Sequence, residues 1–93
     1  MRIRWAPVAV RDLDTIEAYI SQDGTEAAVK TVIDIVGAAD QLKNFPALGR
    51  AGRVAGTREL IIAGKPYIVI YRVRNNMIEI LRVFHTSRKL ETE

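Results

Sequence analysis

TRELIIAGKPYIVIYRVRNNMIEILRVF, residues 57–84, is the stretch whose reading decides the fold. Its segments TRELIIA, YIVIYRVR and MIEILRVF are rich in β-branched and aromatic side chains, and Gly64-Lys65-Pro66 and Asn75-Asn76 separate them as turns. The pattern predicts a three-stranded antiparallel meander. Strict alternation places Ile68, Ile70, Arg72 and Arg74 on one face of the middle strand, and Ile78, Ile80, Arg82 and Phe84 on one face of the last. Both faces mix apolar and charged residues, so alternation alone leaves open which of them is covered.

Upstream the period changes. RIRW (residues 2–5) alternates as a short strand, and Pro7 stands where a first helical turn tolerates it. From Ala9 the apolar positions Leu13, Ile16 and Ile20 recur at helical spacing, with Arg11, Asp12, Asp14 and Glu17 largely outside that face. Ser21 to Gly24 end this helix, and Asp23 or Thr25 can cap a second. Val29, Val32, Ile33, Val36, Ala39 and Leu42 give the second helix its expected buried stripe, and Asn44-Phe45-Pro46 stops it. Two helices so closely joined form an antiparallel hairpin. ALGRAGRVAG (residues 47–56), with its three glycines, reads as an exposed loop. The first strand joins the sheet after the hairpin, which gives an α+β domain of order β-α-α-β-β-β over residues 1–93 with helices on one sheet face.

The composition narrows the function. With 48% hydrophobic and 27% charged residues, the 93-residue chain suits one packed core and is neither disordered nor a coiled coil. No apolar run reaches the roughly 20 residues that span a bilayer, and the N-terminus lacks a leader pattern, so a cytoplasmic protein without membrane contact is expected. Zero cysteines fit a reducing compartment, and with a single histidine no metal site or cofactor is expected. The net charge of +3 is unevenly placed. Acids outnumber bases from residue 11 to 40, whereas Arg50, Arg53, Arg58, Lys65, Arg72, Arg74, Arg82, Arg88 and Lys89 face only Glu59 and Glu79. Each of these arginines, Arg72 and Arg82 included, can be a solvated strand end. Together with the loop arginines they predict a surface for an anion or an acidic partner.

RVFHTSRK (residues 82–89) holds the lone histidine at a strand end. His85 there could exchange protons near neutral pH, Glu59 is the other candidate proton carrier, and arginines such as Arg58 and Arg82 could stabilise phosphorane charge in metal-free RNA cleavage. The alternative is structural: His85 hydrogen-bonds at the strand end, and Glu59 pairs with a neighbouring arginine.

RDLDTIEAYI, FPALGR, GTREL, YIVIYRV and ILRVFH, in this order and over nearly the whole chain, resemble the RelE/ParE family of toxins of type II toxin-antitoxin modules, closer to the ParE-like members. The resemblance implies two N-terminal helices on a twisted antiparallel sheet, and a growth-inhibiting toxin neutralised by a cognate antitoxin in a hetero-oligomeric complex. It implies one of two targets: DNA gyrase, poisoned by binding, or messenger RNA cut on the ribosome. Ribonuclease members resembling Y-R-L-V-Y in the third strand place an arginine on the scissile phosphate; here YIVIY has Ile68 in that position. His85 matches a catalytic histidine of several ribonuclease members and equally an RVLH-type stretch of ParE-like ones. The departure at Ile68 favours the gyrase-binding reading, with Arg72 or Arg58 as the residues that would have to substitute in the other. Antitoxin or target contact is then expected at Arg50, Arg53, Arg58, Arg72, Arg82, Arg88 and Lys89.

Overall fold

Alternating β-branched runs and two helical stripes settle into one mixed layer pair. The computed structural model describes residues 1–87, so Arg88 and Lys89 lie outside the described residues. The elements are β1 (Arg2–Trp5), α1 (Pro7–Ile20), α2 (Thr25–Asp40), β2 (Arg50–Ala51), β3 (Arg58–Ile61), β4 (Tyr67–Arg74) and β5 (Met77–His85), with a 3-10 turn at Gln41–Lys43. The sheet order is β1-β5-β4-β3-β2. β1 pairs parallel with β5 after the helical hairpin has crossed over, and the remaining pairs are antiparallel. Among the described residues no helix is long and apolar enough to cross a membrane.

The expected α+β architecture is present, with a fifth strand that the loop reading of residues 47–56 omitted. Arg50 pairs with Glu59 and Ala51 with Arg58, making β2 a two-residue edge strand. What holds it is polar chemistry that periodicity does not register. The Glu59 carboxylate accepts from the Arg50 guanidinium at 3.1 Å and from the Arg53 backbone N–H at 3.2 Å. The fully buried Tyr71 hydroxyl accepts from the Gly49 N–H at 2.9 Å and donates to the Pro46 carbonyl at 2.7 Å. Gly49 is required there because an added Cβ would lie 2.7 Å from the Tyr71 ring and 2.9 Å from the Glu59 carbonyl.

A β-bulge corrects the strict alternation of β5. Ile70 pairs with Arg82 but Tyr71 with Ile80, so Leu81 is the extra residue and the faces exchange across it. Ile78 and Ile80 before the bulge, and Val83 after it, enter the core beneath the helices with Tyr67, Val69, Tyr71 and Leu60. Arg82 and Phe84 go to the opposite face, where the Arg82 guanidinium carbon lies 4.5 Å over the Phe84 ring. Ile68, on that same opposite face by its pairing with Ile61 and Phe84, is nonetheless 2% exposed.

The helices also differ in part. α1 buries Ala9 and Ile16, with Leu13 and Ile20 packed against the same cluster, on the expected face. α2 is rotated from its expected stripe. Its buried residues are Ala28, Thr31, Ile35 and Ala39, with Leu42 just beyond, while Ile33, Val29 and Val36 are 61%, 43% and 40% exposed. Ala28, Thr31 and Ala39 make the buried face mostly small side chains, with Ile35 its one large aliphatic residue. Neither Asp23 nor Thr25 caps α2; Gly24, at φ 146°, is its N-cap.

Tyr71→Phe tests the hydroxyl bridge. It strands a buried Gly49 N–H and the Pro46 carbonyl while keeping the ring, so unfolding free energy measured by urea titration is expected to fall by about 1–3 kcal/mol.

Candidate functional site

The residues with chemical potential do not converge. Glu59 lies opposite Ile70 in the sheet, and His85 lies opposite Tyr67. That is three residues along β4, about 10 Å, on opposite faces of the sheet. Each is tied locally. His85 Nδ1 accepts from the Ser87 backbone N–H at 3.2 Å, lies 2.8 Å from the Ser87 hydroxyl, and its ring meets Tyr67 edge-on at 5.4 Å. Because an amide N–H can only donate, Nδ1 is bare in this arrangement and the neutral ring carries its proton on Nε2. The imidazole borders a cleft of about 210 Å³ between α1 and the end of β5, lined also by Asp12, Tyr19 and Phe84.

The arginines are largely engaged within the fold. Arg82 makes a two-pronged pair with Asp12 on α1, at 2.9 and 3.0 Å, and the hydrogen bonds it donates to Asp12 raise its pKa despite partial burial. Arg58 donates to the Gly49 carbonyl at 2.7 Å. Arg72 pairs with Glu79, which Arg4 also approaches at 3.4 Å. Arg50 pairs with Glu59, and Arg53 reaches the same carboxylate through its backbone. Glu59 is only 5% exposed; burial works to raise its pKa, but the Arg50 and Arg53 hydrogen bonds prevail and hold it below the ordinary carboxylate range.

A second region is concave and apolar. Between α2 and β3 runs an open groove of about 810 Å³, floored by Leu60 and Ile62 and walled by Ile33, Ala38, Leu48 and Ile61. Ile33, Ile61 and Leu48 are exposed apolar side chains of this groove, at 61%, 52% and 49%. Beyond the two-residue β2, the outer edge of β3 continues past Glu59 with no strand beside it among the described residues. The Ile62 N–H bonds the Tyr67 carbonyl across the sheet, so the main-chain groups of its neighbours Ile61 and Ala63 alternate outward along that edge. Asp34 and Arg50 line the groove, and Lys30 and Lys65 approach Asp34 at 3.1 and 3.5 Å, the Lys30 hydrogen bond lowering its pKa. Ile33 and Ile61 were not among the residues expected at a site. The signal was a second apolar stripe on α2, read as core.

Two helices thus lie on one face of a five-stranded sheet, with an open groove along the outer helix. The family description "ParE toxin of type II toxin-antitoxin system, parDE" matches residues 3–90, and the chain belongs to this family of toxins. Y4kP of Sinorhizobium fredii, which carries a toxin designation, is 47% identical over 88 residues, 95% of this chain and 91% of its own length. Toxin RelE2 of Caulobacter vibrioides is 33% identical over 87 residues, 94% of this chain and 97% of its own. A chain of the chromosomal ParDE system from P. aeruginosa superposes with a TM-score of 0.86 at 33% identity, covering 91% of this chain and 95% of that one. YafQ from E. coli shares the fold at 13% identity, with a TM-score of 0.64 over 97% of this chain and 99% of its own.

Glu59→Gln separates structure from catalysis. A depressed carboxylate stabilises the fold above its unfolded pKa near 4.5, and that contribution is lost as pH falls through the lower folded value. The variant is expected to be less stable by about 1.5–3 kcal/mol at pH 7, and to lose part of the acid-side decline seen in urea midpoints of the parent between pH 5 and pH 3.

Proposed function

We propose that this single-domain toxin acts in the cytoplasm by binding DNA gyrase, without hydrolysing nucleic acid itself, and that a cognate antitoxin silences it by filling the α2/β3 groove. The observation that carries the first half is the occupation of the nuclease-type residues. Glu59, Arg58 and Arg82 are bound into β2, the Gly49 carbonyl and α1, and the aliphatic Ile68 stands where a phosphate-gripping arginine would be needed. A proton donor, a proton acceptor and a cation within reach of one phosphate are the minimum for metal-free RNA cleavage. Membership of the ParE family points the same way.

The test compares the parent and His85→Ala proteins with gyrase, supercoiled DNA and ATP, and separately with a ribosome-bound message. Gyrase-linked DNA breaks from both proteins are expected, and a folded His85→Ala protein keeps its toxicity in cells. Loss of a general acid or base lowers a rate by about 100- to 10,000-fold. Codon-spaced RNA cuts that vanish in the variant would replace this reading with the ribosomal one.

The second half follows from the groove. An amphipathic helix could lay its apolar face against Val29, Ile33 and Val36, and an extended segment could add to the free edge of β3 beside Ile61. Arg50 in the groove, and Lys30 and Lys65 beside Asp34, favour acidic residues in that segment, accelerating association, while the apolar contacts anchor it. Ile33→Asp is expected to weaken the complex at least about 30-fold without unfolding the free toxin. Stopped-flow association with the parent protein is expected to slow with added salt, whereas the preformed complex resists a salt challenge.

A further inference from the structure

The face of the sheet turned away from the helices carries a second arrangement that neither the groove nor the His85 cleft uses. Register places Arg2 and Arg4 on β1 beside Met77 and Glu79 on β5, and these beside Arg74 and Arg72 on β4. The six residues form a grid of two rows and three columns. Four arginines occupy its corners, with Met77 and Glu79 between them. Strand spacing makes this rectangle about 10 Å across and about 7 Å along the strands. Arg2, Arg4 and Arg74 are exposed, and the grid opens into two adjoining hollows of about 500 and 430 Å³ that share Asn75 and Met77. At one end the turn residues Asn75 and Asn76, both in the left-handed conformation at φ 53° and 60°, present their exposed amide side chains.

One carboxylate serves four guanidinium groups. Glu79 is bonded by Arg72 and approached by Arg4, while Arg2 and Arg74 make no ion pair among the described residues. The corner therefore carries a net charge of three (four arginines less one glutamate), equal to that of the whole 93-residue chain.

We infer that this rectangle of Arg2, Arg4, Arg72 and Arg74 is a docking surface for the phosphodiester backbone of duplex DNA. Met1 and Met77 are the apolar residues lining its two hollows, and neither is the aromatic anchor on which protein interfaces depend, whereas arginine forks and side-chain amides are what backbone recognition uses. Two arginine columns, on β1 and β4, about 10 Å apart let side chains reach the phosphates on both walls of a minor groove about 6 Å wide. Recognition is by charge and shape, independent of sequence. It does not rest on gyrase being the target, and it is measured without gyrase.

The experiment is fluorescence anisotropy of the full chain with a 20-base-pair mixed-sequence duplex across a range of salt. The slope of log affinity against log salt is expected near −3, as about three or four neutralised phosphates require. Arg2→Gln with Arg74→Gln, which leaves the Arg72–Glu79 and Arg4–Glu79 pairs in place, is expected to lower affinity at least tenfold and flatten the slope by about 2. Glu79→Gln, which removes the one opposing charge, is expected to raise affinity, a gain that a misfolded protein cannot mimic. Unchanged affinity in the double variant overturns the inference. So does tighter binding of a glutamate-rich peptide or of single-stranded RNA of the same length, which would assign the surface to an acidic protein or to RNA.

Discussion

The carboxylate of Asp12 closes the one gap that β5 cannot close for itself. β1 accompanies β5 only as far as Ile80, with the Ala6 N–H bonding the Ile80 carbonyl as the chain turns into α1. Past that point the Val83 N–H faces the open side of the sheet. Asp12 accepts it at 2.8 Å and holds the Arg82 guanidinium on both oxygens. A buried amide left unmade costs about 1–3 kcal/mol, so this one side chain fixes the height of α1 against the sheet. The bulge at Leu81 lies beside this contact. It turns Arg82 off the core face, round the end of β1, to where Asp12 can meet it, and brings Val83 inward beneath α1.

That docking of α1 determines what α2 can do. α2 packs on α1 and the sheet through Ala28, Thr31, Ile35 and Ala39, and three of these positions carry small side chains. Its larger residues are thereby turned outward. Val29, Ile33 and Val36 are exposed as a consequence of how the core is filled, and Ile33 shares its groove with β3, whose edge is covered over only two residues. An apolar helix face beside an unpaired strand edge is a pairing hazard in a free monomer and a suitable seat for a segment that is helical in one part and extended in another.

Strand identity, strand order within the meander and the helical hairpin were all legible, because residues 57–84 and 7–42 carry strong periods bounded by turn residues. What periodicity could not show was every feature set by a polar contact across the chain. β2 is held by Glu59, and the chain leading into it by the Tyr71 hydroxyl, which bonds Gly49 and Pro46 across separations of 22 and 25 residues. The bulge leaves no mark in an apolar run where Ile80 and Leu81 are equally hydrophobic. The choice between the two stripes of α2 turned on volume, and a hydrophobicity count favours Ile33 over Ala28. The candidate residues show the same division. Sequence located the cations of the C-terminal half, but Arg50, Arg58, Arg72 and Arg82 have partners in the fold that only pairing reveals, and the exposed Arg2 and Arg74 come together only when β1 is laid beside β5.

The charge asymmetry therefore resolves into two populations with different consequences. Arginines paired with a carboxylate stabilise local geometry and have their field reduced by that neighbouring acid. The arginines at the β1 and β4 ends of the sheet exceed their one carboxylate and project a field into solvent, where it acts over roughly 8 Å at physiological salt. They lie on the face opposite the helices, while the groove opens between α2 and β3 at the other edge of the sheet. A segment seated in that groove covers Ile33 and Ile61 and leaves Arg2 and Arg74 in solvent. A segment confined to that groove would leave the cationic end of the sheet uncovered, because the two surfaces lie at different edges of the sheet.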